Sequence, residues 1–317
     1  MARVLPGQGG DRDEVADWPA ADAAIGAAAV SCEALARTAV QALYDELEAY
    51  PKPGLVSPVD SGAHADMDFA LMCRSADSLL QPFTDLAAAG RAGRSFEAAL
   101  MPLGMAAERR MLEVTGGVNT HRGAIFSLGM MVAAMARTPA SDGVRSPQAV
   151  QSVLLREWGE ALAVHAARGI SASSHGAAVQ RQTGRDGARR EAALGFPGIF
   201  AVGVPTYRAA LATGLDGNAA CIQTLFALMA AVDDTTALYR GGVAAGEFVR
   251  RSASAFLARG GCHRDDWFAE AERLHRDFTA RNLSAGGCAD LLAATLFVVR
   301  CCGGESPMEE EHEAATR

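Results

Sequence analysis

The sequence has few aromatic residues, no excess of positive charge and no long apolar run. Aromatic residues make up 6% of the 317 positions, whereas half of all residues are apolar, with alanine abundant among them. Small apolar side chains without β-branched runs favour close-packed helices over sheets. No stretch approaches the roughly 20 consecutive apolar residues that cross a bilayer. These absences predict a helical protein that does not associate with a membrane.

The net charge and the pattern of cysteines exclude further classes of protein. The formal net charge is −8, and binding of nucleic acid normally needs a basic face. The seven cysteines are odd in number and form no C-x-x-C pair, so neither a disulfide framework nor a zinc knuckle is indicated. The N-terminal residues contain glycine and acidic residues where a secretory signal has an apolar run. We therefore expect reduced thiols and a cytoplasmic protein.

Apolar residues at helical spacing recur along the chain and are interrupted by polar, glycine-containing loops. We expect a disordered N-terminus at 1–22, a single compact all-α domain at 23–303, and an acidic tail at 304–317. The spacing predicts helices over 23–48, 69–87, 95–114, 124–137, 148–167, 205–213, 217–231, 242–258, 265–281 and 288–301. The glycine-containing loops between these helices concentrate the reactive side chains.

The loop 62–68 places an imidazole, His64, and two carboxylates within seven residues. Asp66 and Asp68 are separated by one residue, and carboxylates with this spacing can share Mg²⁺ with the phosphates of a nucleotide. They can equally cap the next helix, because aspartate accepts hydrogen bonds from the free N–H groups of a helix start. The spacing alone leaves both interpretations open.

The loop 115–123 carries adjacent glycines and leads into an apolar helix. Gly116 and Gly117 let backbone N–H groups approach an anion, and Arg122 can make a charge-assisted contact to phosphate. The loop lacks the Walker A spacing and follows no strand, so neither standard nucleotide fingerprint applies. A glycine pair in this position also fits an ordinary helix end and turn.

Two more loops combine charge with glycine or helix ends. The polar region 168–198 contains His175 and a cluster of four arginines, Arg181, Arg185, Arg189 and Arg190. These arginines suit a polyanionic ligand or a solvated helix face. Asp233 and Asp234 follow an apolar helix, where a bound cation or solvent would relieve their conflict with the helix dipole. Asp290 lies near the start of the last helix, and capping of that helix is the leading local explanation for it.

Five blocks at these loops carry a more specific signal than any single spacing. They are PKPGLVSPVDSGAHADMD, TGGVNTHRGAIFSLG, GARREAALGFPG, DDTTALYRGG and RNLSAGGCADLLAATLF. In this order they resemble the motif blocks of the triphosphoribosyl-dephospho-CoA synthase family, from about residue 44 to residue 300. The sequence departs from that pattern at Thr236, where family members often have asparagine.

The resemblance implies an all-α fold and transfer of the triphosphoribosyl group of ATP to 3′-dephospho-CoA, with release of adenine. The product is the precursor of the prosthetic group that a further transferase attaches to the acyl carrier protein of malonate decarboxylase or citrate lyase. Asp60 and the run GAHADMD are closer to the malonate decarboxylase branch. Such a site must hold the triphosphate, with Mg²⁺ as the expected cofactor, and position the acceptor hydroxyl.

Within the resembling blocks we assign candidate roles by residue type. The catalytic candidates are carboxylates that can act as a general base, and they are Glu46, Asp66, Asp68, Asp233 and Asp234. The four aspartates among them are also the candidate Mg²⁺ ligands. The candidates for binding substrate or phosphate are Lys52, His64, Gly116, Gly117, Asn119, His121, Arg122, His175 and Arg189.

Two other functions remain possible from the residues alone. A helical metal-dependent phosphohydrolase would use His64, Asp66, His121, His175 and Asp234, and it would release phosphate or pyrophosphate from ATP instead of adenine. A non-enzymatic helical partner of a decarboxylase complex would bind its partner without nucleotide turnover. This last function leaves the five polar blocks unexplained.

Overall fold

A computed structural model describes residues 30–140, 144–167 and 187–303 of the chain. The N-terminus 1–22 and the tail 304–317 lie outside the described residues. The described residues contain helices and turns and no extended strand, so the all-α prediction is confirmed. All seven cysteines are described, and all are free thiols.

Twelve α-helices lie in the described ranges. In chain order they are α1 Cys32–Glu48, α2 Phe69–Asp77, α3 Leu80–Arg91, α4 Met101–Val114, α5 Arg122–Arg137, α6 Pro147–Ala167, α7 Ala188–Ala193, α8 Val204–Ala212, α9 Gly217–Ala231, α10 Thr235–Ala258, α11 Trp267–Ala280 and α12 Gly286–Cys301. Two π-helical turns, Phe96–Leu100 and Gly198–Gly203, lead into α4 and α8, and a 3₁₀ turn, Gly261–His263, precedes α11.

The helix predictions differ from the structure at α1, at α2 and α3, at α7 and at α10. The helix predicted over 23–48 begins at Cys32, because Ser31 is extended and caps α1 by accepting from Ala34 N at 3.0 Å. The predicted helix 69–87 is two helices, α2 and α3, and Pro82 lies in the first turn of α3, where a missing N–H is tolerated. Helix α10 begins at Thr235 and not at 242, with a break at Gly241 and Gly242 where the backbone leaves helical geometry. Helix α7 lies in a segment for which the sequence predicted no helix.

Helices α5 and α12 form the centre of the domain. Twelve of the sixteen residues of α5 are buried, and α12 is buried along most of its length. Helix α5 packs against α3 and α12, and α1 packs against the same two helices. At Gly90 of α3 an added Cβ would overlap the backbone of Ala133 in α5. The small residues of this chain therefore let the central helices approach closely, as the composition indicated.

No single described helix is long and apolar enough to cross a membrane. Helix α9 and the helical stretch Thr235–His263 meet that test only when taken together, and a bend of 55° separates them. Most residues of α9 are buried inside the domain.

Candidate active site

Three of the five blocks are joined by direct hydrogen bonds. Arg240 of the fourth block donates to the carbonyl of Ala63 in the first block at 2.7 Å. His64 Nε2 lies 2.9 Å from Ser284 Oγ in the fifth block. The carboxylate of Asp234 accepts from the backbone N–H of Cys288 at 2.8 Å. Segments far apart in the sequence therefore form one continuous polar region.

The second and third blocks join the same region through glycines. An added Cβ at Gly123 would overlap the carboxylate of Asp290, and one at Gly187 would overlap the side chain of Thr235. These close approaches bring the start of α5 against α12, and the start of α7 against α10. All five blocks are thus in contact, although helical periodicity alone does not indicate which loops meet.

Glu46 and Lys52 form a buried ion pair at the end of α1. Lys52 Nζ lies 2.7 Å from Glu46 Oε1, 2.5 Å from the carbonyl of Glu46 and 3.4 Å from that of Leu47. The Lys52 residue is 1% exposed and Glu46 is 6% exposed. The protein therefore provides three hydrogen-bond acceptors for the Lys52 ammonium. Two of the candidate residues thus neutralise each other in a buried ion pair.

His275 and Asp60 hold the backbone of Lys52 in place. His275 Nδ1 donates to the Lys52 carbonyl at 2.6 Å, and Nε2 lies 3.0 Å from Asp60 Oδ1. No sequence pattern singles out His275, because it lies in the middle of an amphipathic helix, more than 200 residues from its partners. Only the fold reveals this contact.

His64 is neutral in the folded protein. Burial, followed by the charge of Arg240, lowers the pKa of His64 to about 4. Arg240 Nη2 lies 3.0 Å from His64 Nδ1, so His64 Nδ1 accepts from Arg240 and His64 Nε2–H donates to Ser284 Oγ. Arg240 also contacts Asn282, and the helix break at Gly241 and Gly242 directly follows it. Arg240 is therefore a site residue that was not among the candidates from the sequence.

The four aspartates proposed as metal ligands contact different groups of the protein. Asp68 caps α2 by accepting from Leu71 N at 2.8 Å, and Asp233 pairs with Arg250 at 2.7 Å. Asp234 caps α10 through Ala237 N at 2.9 Å as well as binding Cys288. The side chain of Asp66 is 63% exposed and lies 3.8 Å from His64 Nδ1. Burial raises the pKa of Asp234.

The described residues contain no group of three or more histidine, cysteine, aspartate or glutamate side chains placed to hold a metal ion. Helix caps already use the carboxylates of Asp68 and Asp234. Asp233 is paired with Arg250. The capping interpretation of Asp68 is thus confirmed by its contact with α2. The four aspartates of the described residues do not fit a single preformed ion site.

The glycine pair of the second block ends α4. Gly116 and Gly117 have φ values of 65° and 92°, in the left-handed region that favours glycine. Gly117 N donates to the carbonyl of Leu112 at 2.8 Å, which is a helix-terminating turn. Asn119 Oδ1 then accepts from Arg122 N at 3.3 Å at the start of α5. The helix-end interpretation is confirmed, and a contact with an anion stays a prediction.

His121 is buried beside this turn with one ring nitrogen unsatisfied. Its Nδ1 lies 2.7 Å from Ser75 Oγ, whereas Nε2 has no hydrogen-bond partner in the described structure. Burial, followed by the positive charge of Lys52, lowers the pKa of His121 to about 4. A buried polar atom without a partner costs free energy, so this nitrogen marks a place where a ligand could bind.

Basic residues lie around Glu108 of α4, a residue outside the five blocks. Arg122 Nε lies 3.2 Å from Glu108 Oε2, and Arg189 also acts electrostatically on Glu108. Arg122 and Arg189 are both partly exposed. Of the other basic candidates, His175, Arg181 and Arg185 lie outside the described residues. The two described arginines bring the second and third blocks together at an accessible edge.

Asp290 does not cap its own helix, and that sequence-based expectation is wrong. Helix α12 has Ala285 at its N-cap, which makes no side-chain cap hydrogen bond, and the carboxylate that accepts from its first turn is that of Asp234. The Asp290 carboxylate lies instead against Gly123, and it accepts from the backbone N–H of Ala124 in α5. The close packing of α5 on α12 explains why the Asp290 carboxylate contacts α5, since Gly123 leaves room for it.

The surroundings of Asp290 favour its neutral form. Burial raises the pKa of Asp290 well above the usual range, and the nearby charges of Glu46 and Asp234 raise it further. The residue nevertheless keeps part of its surface accessible. The region thus combines a carboxyl group suited to proton transfer with accessible arginines suited to a polyanion.

Comparison with known proteins identifies the family of this chain. The family model for ATP:dephospho-CoA triphosphoribosyl transferase (CitG) matches residues 32–307. A protein of Acinetobacter calcoaceticus, named a probable 2-(5″-triphosphoribosyl)-3′-dephosphocoenzyme-A synthase, is 39% identical over 272 residues, covering 86% of this chain and 91% of its own. A protein of Pseudomonas aeruginosa with the same name is 42% identical over 272 residues, covering 84% and 90%.

A Klebsiella pneumoniae protein named 2-(5″-triphosphoribosyl)-3′-dephosphocoenzyme-A synthase is 38% identical over 273 residues, covering 85% of this chain and 95% of its own. No solved structure matches the chain significantly. The family match contains all five blocks, and the relatives align over nearly their whole length. The chain therefore belongs to the ATP:dephospho-CoA triphosphoribosyl transferase family and is a transferase.

Proposed function

We propose that this chain transfers the triphosphoribosyl group of ATP to the 2′-hydroxyl of 3′-dephospho-CoA and releases adenine. The observation that carries this proposal is the meeting of five family blocks in one polar region, within a chain that the family model matches over residues 32–307. The relatives' names describe the same synthase activity. The bond between ribose C1′ and adenine N9 breaks, a bond from C1′ to the acceptor oxygen forms, and the triphosphate stays on the ribose.

The triphosphate needs several positive charges, and the partly exposed arginines supply them. Arg122, Arg189 and Arg240 belong to three different blocks, and guanidinium groups bind phosphate oxygens through paired hydrogen bonds. Arg122 would exchange its contact with Glu108 for a phosphate. Lys52 is less suited to this role than the sequence suggested, because its ammonium is buried against Glu46.

We propose that Mg²⁺ enters with the ATP phosphates and is not held in advance by the protein. Mg²⁺ often binds through one or two carboxylates together with substrate phosphates, and Asp66 is the exposed carboxylate of the first block. When bound, the ion would neutralise part of the triphosphate charge. Removal of divalent cations with a chelator should then abolish turnover, whereas the thermal unfolding of the free protein should not change.

We further propose that the product serves the malonate decarboxylase branch, and that a second transferase passes it to an acyl carrier protein in the cytoplasm. The branch assignment rests on Asp60 and the run GAHADMD in the first block. The seven free thiols suit a reducing compartment. Mass spectrometry of acyl carrier proteins from a strain lacking this gene tests the assignment. The prosthetic group should be lost from the malonate decarboxylase carrier and retained on a citrate lyase carrier.

The overall reaction is tested by incubating the purified chain with ATP, Mg²⁺ and 3′-dephospho-CoA, followed by chromatography. We expect adenine and a product heavier than dephospho-CoA by the triphosphoribosyl group. Release of phosphate or pyrophosphate without adenine would indicate a phosphohydrolase instead. Asp66→Asn tests the exposed carboxylate, with the exposed Asp85→Asn in α3 as a matched control. Full adenine release by a folded Asp66→Asn variant would exclude a role for Asp66.

A further inference from the structure

We propose that Asp290 is the catalytic acid of this reaction and donates a proton to the departing adenine, with its carboxyl group placed by the start of α5. This inference rests on the proposed function and goes one step further, because it assigns a role to a residue of the fifth block. Three observations carry it: the position of the carboxyl group, the state of its acidic neighbours, and an unsatisfied nitrogen at the start of α5.

The carboxyl group of Asp290 lies in the space that the missing side chain of Gly123 leaves free. Gly123 has no side chain, and an added Cβ there would overlap Asp290 Oδ2. The next residue, Ala124, donates its backbone N–H to the same carboxyl group. Asp290 is nevertheless partly accessible, so a ligand can reach it. The carboxyl group is thus positioned on two central helices, which hold a catalytic group more rigidly than a loop does.

The acidic neighbours of Asp290 are already satisfied by other groups. Glu46 is neutralised by Lys52 at 2.7 Å, and the two oxygens of Asp234 accept from Ala237 N and Cys288 N. Asp290 has a backbone donor and no cationic partner among the described ion pairs. The charges of Glu46 and Asp234 act on Asp290, and among interacting carboxyl groups the one without a cation or a pair of donors retains its proton most readily. That proton makes Asp290 an acid.

His121 provides an independent sign that a ligand binds here. The residue is 3% exposed, and its Nε2 has no hydrogen-bond partner among the residues that the structure describes. It stands at the N-cap of α5, three residues before Ala124, which binds Asp290, and the charge of Lys52 acts on it. Buried polar atoms are nearly always satisfied, so the unsatisfied nitrogen at the start of α5 indicates a polar ligand that completes this end of the helix.

The reaction balances with Asp290 as the donor. The electron pair of the C1′–N9 bond goes to the base, and the Asp290 proton goes to a ring nitrogen of adenine, which leaves as the neutral base. The acceptor oxygen forms its bond to C1′ and loses its proton. Uptake of one proton by the Asp290 carboxylate after adenine departs restores the acid, so no oxidant, reductant or further reactant is required. General acids of this kind contribute about 10²- to 10⁴-fold to a rate.

The test compares Asp290→Asn with Asp45→Asn in adenine release from ATP and 3′-dephospho-CoA. Asp45 is a partly buried carboxylate of α1 that pairs with Arg300 and stands outside the site, so it is a matched control. We expect Asp290→Asn to lower kcat by about 10²- to 10⁴-fold with the KM for ATP little changed. We also expect it to remove the decline of kcat that the wild type shows at high pH. Asp45→Asn should keep both the rate and the decline.

A loss of less than tenfold in Asp290→Asn, or a high-pH decline that persists in it, would overturn the assignment. Where the variant does not fold, the pH profile of the wild type decides instead, because a kcat that stays constant to high pH excludes an acid of this kind. Wild-type protein that releases no adenine would overturn the proposed function and this inference together. Full wild-type release with an unaffected Asp290→Asn variant would overturn only the role of Asp290.

Discussion

The Asp290 carboxylate lies where the side chain of residue 123 would be, and Gly123 leaves that space empty. This relationship joins the start of α5 to α12 and explains why a glycine occurs at the second position of a buried helix. Gly123 does not have a positive φ, so its need for glycine is a matter of space and not of backbone conformation. The same contact supports the site that we propose for proton transfer.

Gly123→Ala should therefore impair activity more than folding. The added methyl group must displace the Asp290 carboxyl group, so we expect adenine release to fall by at least tenfold. The matched control is Gly104→Ala in α4, where an added Cβ meets no atom within 4 Å. Because alanine favours helix formation over glycine, this control should raise the free energy of unfolding by up to about 1 kcal/mol and keep full activity. Equal activity of the two variants would contradict the proposed contact.

Substitution of Asp290 itself should not destabilise the protein near neutral pH. Since the folded-state pKa of Asp290 is raised, the unfolded chain loses this proton first as the pH rises, and the folded protein becomes less stable through that window. Asp290→Asn has no proton to lose at this position, so it does not undergo this decrease in stability. Urea unfolding at pH 7 should show a midpoint equal to or above that of the wild type, and the difference should shrink toward pH 4.

Asp68→Ala, by contrast, should lower the midpoint of urea unfolding at pH 7. Its carboxylate caps α2, so we expect a loss of about 1 kcal/mol at pH 7. A strongly destabilised Asp290→Asn variant would mean that the charged form of Asp290 supports the fold, which contradicts a neutral carboxyl group at this position.

Loss of one partner of the Glu46–Lys52 pair should lower the free energy of unfolding strongly. Loss of both partners should lower it much less. Lys52→Met leaves a buried carboxylate without its partner, and such changes cost about 3–5 kcal/mol. Adding Glu46→Gln should recover a large part of that loss, which a double-mutant cycle in urea measures directly. The exposed pair Arg37–Glu33 in α1 is the control, and its cycle should give less than about 1 kcal/mol. Similar coupling energies in the two cycles would contradict burial of the Lys52 ammonium.

His64 and His121 should make the protein sensitive to mild acid. Their pKa values in the folded state are about 4, below the usual value, so the unfolded chain binds protons first as the pH falls from 6.5. Stability is therefore fully present above pH 6.5 and is lost as the pH approaches 4, by about 3 kcal/mol for the fully buried His121.

The pH dependence of urea unfolding checks this prediction. His121→Gln should flatten the decline between pH 6.5 and 4, whereas His263→Gln, which changes an exposed ring, should leave its slope as in the wild type. A His121→Gln variant with the wild-type slope would mean that His121 is protonated in the folded protein.

Helical periodicity predicted the elements that bury one continuous apolar face. The core helices α5 and α12 occur within two residues of the predicted bounds, because most of their residues are apolar and buried. The split between α2 and α3 was missed because both halves carry a compatible apolar pattern. Only Pro82 marks the second start. The early start of α10 was missed because Gly241 and Gly242 suggested a loop, whereas the helix resumes beyond them.

The candidate site was predictable as a set of loops but not as a set of contacts. Glu46 and Lys52 were named separately, and their pairing follows from a short turn after α1. By contrast, His275 with Lys52 and Asp290 with Gly123 join residues more than 150 positions apart. Local pattern carries no information on such pairs, since only the packing of helices brings them together. Asp290 looked like a helix cap for this reason.

The fate of the terminal phosphate of ATP tests the central claim most directly. The purified chain is incubated with ATP labelled in its γ-phosphate together with 3′-dephospho-CoA and Mg²⁺, and the label and the adenine are quantified in the same sample. We expect the label to move entirely into the dephospho-CoA product, in an amount equal to the adenine released. Label recovered as free phosphate or pyrophosphate, or adenine formed without labelled product, would contradict transfer of an intact triphosphoribosyl group.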